Sequence, residues 1–301
     1  MLNMLSQRAL EAFREVMRCG TISGAAEEMR VSQPAISRQI RDLEDRLGLT
    51  LFTRHGGRVT ATPEAHEFWT EVERNLVGLK QIERAAEQIK RGQRSTITVA
   101  AAPVFALTAL PEAVAVLHRQ QPRLTTSFLS MTTLPVVRQV ALGQCQVGFG
   151  MRTHHKFETD LICAGKLPYR FIAPTDHPLA DKPSIQVEDL AGQDLVGFED
   201  STQTGRNQDR LFAGMANPPL VRFRSYLSHI VSVMVLRGLG VALVDPFTAE
   251  THEQMGGLSR PFLSGEWFEY SVIKSIGARL SSECTELIQT FEELVDRHRT
   301  E

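Results

Sequence analysis

Residues 25–65 read AAEEMRVSQPAISRQIRDLEDRLGLTLFTRHGGRVTATPEA, and this stretch decides how the first third of the chain folds. Ala25, Ala26 and Met29 suit a short helix with small residues for close packing, and Thr21-Ile22-Ser23 just ahead offers a hydroxyl cap. Arg30-Val31 makes a turn. Ser32 then caps a further helix, and Pro34 in its first turn sacrifices nothing, because an N–H there has no intrahelical acceptor. Ile36, Ile40, Leu43 and Leu47 give that helix one buried face, while Gln33, Ser37, Arg38 and Arg41 occupy the other. A short helix, a tight turn and a second helix exposing Gln, Ser and Arg near its start form a helix-turn-helix. That arrangement lets side chains reach base edges in the major groove. Leu51-Phe52 and Val59-Thr60 pair across His55-Gly56-Gly57 as a hairpin flanked by Arg54 and Arg58, a wing suited to phosphates or the minor groove. A single exposed Ser, Gln or Arg is usually just solvated; the ordered pattern carries the reading.

Upstream, Leu5, Leu10, Phe13, Val16 and Met17 recur at helical spacing, and Gly20 ends that helix. Downstream, Thr62-Pro63-Glu64 is a strong helix start, with a hydroxyl cap, a proline and a first-turn acid. Apolar residues follow at Ala65, Phe68, Val72, Leu76, Leu79, Ile82, Ala86 and Ile89, in steps of three or four. The stripe resembles a coiled-coil seam, on a helix of roughly 43 Å from Pro63 to Arg91. Such a stripe often packs on its own core. Here the helix follows a DNA-reading motif and precedes the linker Gly92-Gln93-Arg94-Ser95, so it is read as a dimerisation helix matching a palindromic site.

From Thr96 onward strands alternate with helices. Ile97–Ala100, Leu124–Leu129, Val147–Gly150, Tyr169–Ala173, Leu195–Phe198, Val221–Ser225 and Gly240–Val244 read as strands. Leu110–Arg119, Leu134–Leu142, Gly205–Gly214, Ser228–Leu236 and Glu283–Arg297 read as helices. Such alternation predicts parallel sheets, with a ligand at the carboxyl ends of strands and in the crevice between two lobes.

Composition bounds the alternatives. The chain has 301 residues and a net charge of −2, which by itself argues against a nucleic-acid binder. The average hides a gradient: residues 30–62 carry six arginines against three acids, and residues 95–301 carry a net −4. Cys19, Cys145, Cys163 and Cys284 are scattered, without the spacing of a metal site or disulfide framework. No signal peptide is evident, and prolines and Glu112 break the apolar stretch Val99–Leu117, so the expectation is a cytoplasmic protein with no membrane contact. No GxSxG, Walker A, GxGxxG or HExxH motif occurs, so no catalytic residue, no metal ligand and no cofactor is expected. His154-His155 invites a metal reading, but adjacent histidines without spaced partners are usually solvated.

At this point the opening stretch resembles the DNA-binding domain of LysR-type transcriptional regulators. The resemblance runs through Ala25-Ala26, Ser32-Gln33-Pro34-Ala35, Ser37-Arg38, Leu43-Glu44, Leu47-Gly48, Leu51-Phe52, Arg54 and Thr62-Pro63. Departures are small: Thr21-Ile22 stands where Ser-Phe is common, and Ala65 replaces a frequent Gly. The resemblance implies DNA contacts from Ser32, Gln33, Pro34, Ser37, Arg38 and Arg41, with Arg54 and Arg58 serving the wing. Asp176–Ala180, Asp189–Gly192 and Gly238–Ala242 extend it over the rest of the chain. Val244–Ala249 further resembles a branch that senses opines or amino-acid-derived metabolites.

The implied architecture is an α/β multidomain chain. A winged helix-turn-helix spans residues 1–62 and a linker or dimerisation helix with hinge spans 63–94. A two-lobed, periplasmic-binding-protein-like effector domain spans 95–301, with lobe one over 95–168 and 266–301 and lobe two over 169–265. The implied partners are double-stranded promoter DNA, a second copy of the chain in a dimer and then a homotetramer, RNA polymerase, and an unknown small effector. Effector contacts are expected from Ala102, Pro103, Thr132, Thr133, Arg152, Phe198, Ser201 and Ser228. Because Ala101–Val104 lacks the Ser or Thr frequent in the family, an anion there would need backbone N–H groups. Gln146 stands where the family often has Asp. Two other readings compete: a redox-sensing regulator of the same fold acting through Cys145 or Cys163, and a cytoplasmic metabolite-binding protein. The second leaves residues 1–90 unexplained.

Overall fold

The structure, a computed structural model, describes residues 5–55, 58–90, 96–153 and 159–299. Contacts divide the chain into two units, residues 1–92 with 142–144, and residues 93–141 with 145–301.

The first unit runs α1 (Gln7–Cys19), α2 (Ile22–Glu28), α3 (Gln33–Leu47), β1 (Phe52–His55), β2 (Arg58–Ala61) and α4 (Pro63–Lys90). Gly20 ends α1 in the left-handed conformation, and the Thr21 hydroxyl accepts from the Gly24 N–H at 3.0 Å. Ser32 occupies the cap position of α3 without a side-chain cap bond. The hairpin pairs antiparallel, Phe52 opposite Ala61 and His55 opposite Arg58. Phe13 is wholly buried, its ring 5.6 Å from Phe52 and 5.2 Å from Phe68, among inaccessible Ile36, Leu43 and Leu51. Each such side chain stabilises by about 1.5–3 kcal/mol.

The seam expected along α4 divides in two. Ala65, Val72 and Leu76 are buried in the unit's own core, so this half of the stripe is no interface. Beyond it Ile82 is 67% exposed and Ala86 is also exposed. The side chains of Leu79 and Ile89 lie outside the described residues, as does the linker 91–95.

The second unit opens with β3 (Thr96–Ala101), α5 (Pro103–Ala106), α6 (Ala109–Gln120), β4 (Thr125–Ser130), α7 (Thr133–Ala141), β5 (Val147–Met151) and β6 (Thr159–Pro168). It continues through β7 (Arg170–Ala173), β8 (Ile185–Gln186), β9 (Asp194–Phe198), α8 (Gln203–Phe212), β10 (Leu220–Ser225), α9 (Ser228–Leu236), β11 (Ala242–Val244), α10 (Pro246–Gln254) and β12 (Leu258–Leu263). It ends with β13 (Trp267–Ser275) and α11 (Ser282–Arg297). One sheet has the order β4-β3-β5-β13-β6, another β11-β7-β12-β8. The parallel pair β9 and β10 adjoins the second through Val241, whose N–H donates to Asp194 O at 2.9 Å and whose carbonyl accepts from Val196 at 2.8 Å.

The sheets are mixed rather than parallel, which corrects the expectation from alternation. Strands β3, β4 and β5 run parallel, but β13 is antiparallel to both β5 and β6, and β7 to both β11 and β12. The reason is topological. The chain leaves the first sheet after β6 and re-enters it at β13, and no strand–helix–strand crossover, the connection that parallel neighbours need, joins β13 to β5 or β6. Gln146 replaces the expected acid with a strand-like link: its Oε1 accepts from Thr98 N–H at 2.6 Å and its Nε2 donates to Thr96 O at 3.2 Å.

Candidate functional site

In the first unit, packing decides which face of α3 is offered. Burial of Ile36, Ile40 and Leu43 leaves Ser32, Gln33, Pro34, Arg38 and Arg41 exposed, with Ser37 half-buried. Arg41 Nε donates to Ser37 O at 3.3 Å, and Arg38 approaches Asp42 at 3.8 Å. The side chains of Arg54 and Arg58 lie outside the described residues. The wing is fixed to the helix by a residue whose role periodicity did not reveal. The Glu44 carboxylate accepts from Leu51 N–H at 2.7 Å and Phe52 N–H at 3.0 Å. Thr62 does likewise from the far strand: its hydroxyl donates to Thr50 O at 2.9 Å and accepts from Ala65 N–H at 3.1 Å. Helix, hairpin and α4 are thereby locked into one rigid reading head.

In the second unit a cleft of about 1310 Å³ opens beside the strand ends, and all eight residues expected to hold an effector line it. Ala102, Pro103, Thr132, Thr133 and Arg152 come from the side of the β3 sheet, and Phe198, Ser201 and Ser228 from the side of β9. Thr133 is fixed by the strand beside it: its Oγ1 accepts from Met151 N–H at 3.1 Å, and a Cβ on Gly150 would lie 3.1 Å from its methyl. The backbone contact expected near Ala102 is weakened. The Ala102 N–H already donates to Phe149 O at 2.8 Å, and Pro103 has none to give. His154-His155 falls outside the described residues.

The cleft also holds groups that the residue pattern alone did not single out. Helix α8 turns its polar side inward. Thr204, Asn207 and Gln208 are buried, and a Cβ on Gly205 would meet Glu199 O at 2.3 Å, so only glycine lets the helix start this close to β9. Gln208 donates to Leu243 O at 3.0 Å. Arg210 donates to Asn207 Oδ1 at 2.7 Å and reaches Glu266 at 3.4 Å. Asn207 in turn contacts the hydroxyl of buried Tyr169, whose pKa burial raises to about 12. On the same side, Asp245 caps α10, accepting from Thr248 N–H and Oγ1 at 2.8 Å each, and Thr248 also bonds Ser228 Oγ at 2.9 Å. Burial raises the Asp245 pKa, opposed by these hydrogen bonds. The sequence Asp245-Pro246-Phe247-Thr248 is itself a helix-start signature, the one cue that could have flagged this pair.

Cys145 and Cys163 sit in surroundings that disfavour the reactive thiolate. Burial pushes the Cys145 thiol up to about 11, and burial together with Glu292 pushes Cys163 up to about 12. Both stay thiols at neutral pH, whereas the thiolate is the nucleophile.

A winged helix-turn-helix followed by a two-lobed α/β unit with an open cleft defines a DNA-binding regulator with a ligand-responsive module. Residues 7–66 match the family described as bacterial regulatory helix-turn-helix protein, lysR family, and residues 90–296 match the LysR substrate binding domain. The chain therefore belongs to the LysR family of DNA-binding transcriptional regulators. It is 33% identical over 259 residues to the octopine catabolism/uptake operon regulatory protein OccR of Rhizobium meliloti, covering 86% of this chain and 85% of that one. It is 29% identical over 267 residues to the regulatory protein NocR of Agrobacterium tumefaciens, covering 86% of each. Among solved structures, full-length CbnR complexed with its target DNA has a TM-score of 0.65 at 18% identity, over 96% of this chain and 99% of that one. Among the described residues, no helix is long and apolar enough to cross a membrane.

Proposed function

We propose that this regulator senses a carboxylated, amino-acid-derived metabolite of the opine class in the cleft of its second unit. One observation carries the reading. The cleft places the cations Arg152, Arg206 and Arg210 and the carboxylates Glu199, Asp245 and Glu266 around the same volume, beside Phe198 and Trp267. A wall of mixed charge with an aromatic side suits a zwitterion carrying an apolar arm. A purely aromatic acid offers no cationic group to the acidic side of that wall. The octopine-linked name of OccR points the same way.

In this reading Thr132, Thr133 and Arg152 hold a carboxylate, and Ser201, Ser228 and Phe198 meet the remainder. Effector binding shifts the closure of the two lobes, the differential interaction that population shift requires. On the DNA side, Gln33, Ser37 and Arg38 read base edges, while Ser32, Pro34, Arg41, Arg54 and Arg58 meet the backbone. The protein works in the cytoplasm as a homotetramer paired through the distal half of α4, engages RNA polymerase, and performs no catalysis. The metabolite-binding protein reading leaves the reading head without a task. The redox reading asks two thiols with raised pKa, Cys145 buried and Cys163 half-buried, to react as thiolates.

The test is a thermal-shift screen of the full chain against octopine-class opines, free amino acids and aromatic acids. An opine or amino acid at a hundred times its dissociation constant stabilises the chain by about 2.7 kcal/mol. If aromatic acids alone raise the melting temperature, the effector class is wrong.

A further inference from the structure

Arg30 lies in the turn between α2 and α3, and among the described residues it is the one non-glycine with a positive φ, 53°. The turn ends α2 in full Schellman form: the Arg30 N–H donates to Glu27 O at 3.1 Å and the Val31 N–H to Ala26 O at 3.0 Å. That geometry puts Arg30 at the left-handed position where a Cβ crowds the backbone and glycine is preferred, as in many helix-turn-helix turns. Its side chain contributes nothing visible to the fold in return. It is exposed, and among the described residues it makes no ion pair and no side-chain hydrogen bond. The neighbouring cations differ: Arg38 approaches Asp42, and Arg41 bonds Ser37 O.

A strained residue whose side chain supports nothing in the protein points to a ligand outside it. The position indicates which. Arg30 directly precedes Val31-Ser32-Gln33-Pro34, the segment that leads into the groove-entering end of α3. Phosphates line the groove edges, and a guanidinium is suited to them by charge and by its planar fork. We infer that Arg30 neutralises a DNA phosphate flanking the major groove that α3 enters, adding one charged contact per reading head.

The experiment compares the full chain with Arg30→Gly and Arg30→Lys on two duplexes, a site selected from a random pool by the unaltered protein and an unselected random duplex. One phosphate contact contributes about 0.9 to the slope of log affinity against log salt, which near 0.1 M salt corresponds to about 8-fold in affinity per engaged head. Arg30→Gly is expected to lose that much on both duplexes, to flatten the slope accordingly, and to leave the melting temperature unchanged or raised. Arg30→Lys is expected to keep the slope. An unchanged slope and affinity in Arg30→Gly overturn the inference. So does a loss confined to the selected duplex, which marks a base contact, or a lowered melting temperature, which marks a structural role.

Discussion

Helices α3 and α8 begin alike, each behind a hydroxyl residue, Ser32 and Thr202, yet they distribute their side chains in opposite senses. Helix α3 buries Ile36, Ile40 and Leu43 and turns Gln33, Arg38 and Arg41 to solvent. Helix α8 buries Thr204, Asn207 and Gln208 and leaves Arg206 and Arg210 exposed. In the first, recognition and folding use different side chains, so one can be altered without the other. In the second they overlap, because Thr204 and Asn207 line the cleft and also meet the hydroxyl of buried Tyr169, while Gln208 beside them bonds a buried carbonyl.

The largest expected effect tests the separation in α3. Arg38 is 81% exposed at its side chain, so Arg38→Ala removes no core contact. A lost base contact of this kind costs about 1–3 kcal/mol per head. Affinity for a selected site, followed by fluorescence anisotropy, should fall about tenfold or more, with thermal unfolding held within a few tenths of a kcal/mol. A collapse in stability would show that α3 does not separate its two tasks.

The buried polar side of α8 predicts a stability effect instead. Gln208→Ala leaves the Leu243 carbonyl, in a residue only 1% exposed, without its donor. An unsatisfied buried acceptor costs about 1–3 kcal/mol, readable as a lower urea midpoint for the second unit. DNA affinity without effector should not change. Equal stability in variant and parent would mean that the polar side of α8 is dispensable.

Thr133→Val comes next, being nearly isosteric. It removes the acceptor for Met151 N–H, at a cost of about 1 kcal/mol, and withdraws a hydroxyl from the cleft. The effector-induced thermal shift should shrink while DNA affinity stays constant. Undiminished response in the variant would remove Thr133 from the proposed site.

The same contrast explains what could be read from residues alone. The reading head was legible because its signals are local: Pro34 within a turn of Ser32, an apolar period of three and four, and arginines on the opposite face. The cleft was legible where strand ends and helix starts announce themselves, and Thr133, Phe198 and Ser228 lie where those signals put them. What stayed hidden depends on long-range pairing. Strands β6, β12 and β13 show no decisive period, and the antiparallel return of β13 between β5 and β6 joins segments about a hundred residues or more apart. The buried polar side of α8 was hidden for another reason, since Thr, Asn and Gln on a helix ordinarily mark its solvated face. The seam on α4 misled halfway because a stripe looks the same whether a partner or its own core covers it.

The smallest expected effect concerns Asp245, a carboxylate held deep beside the cleft. Asp245 is 3% exposed, and burial raises its pKa above the ordinary carboxylate value despite the bonds from Thr248 and Ser228. A raised native pKa means that the folded state binds the proton more tightly than the unfolded chain does. The stability linked to Asp245 is therefore fully present below the unfolded value of about 3.9 and is lost as pH rises through the native one. Asp245→Asn removes the titration while keeping an oxygen that caps α10, since Asn serves that position as well as Asp. Urea unfolding across the acid range should then show a smaller fall in stability with rising pH in the variant than in the parent. A steeper fall in the variant would mean that the Thr248 and Ser228 hydrogen bonds outweigh burial, and that the cleft, like the face of α3, holds its charge at no cost to the fold.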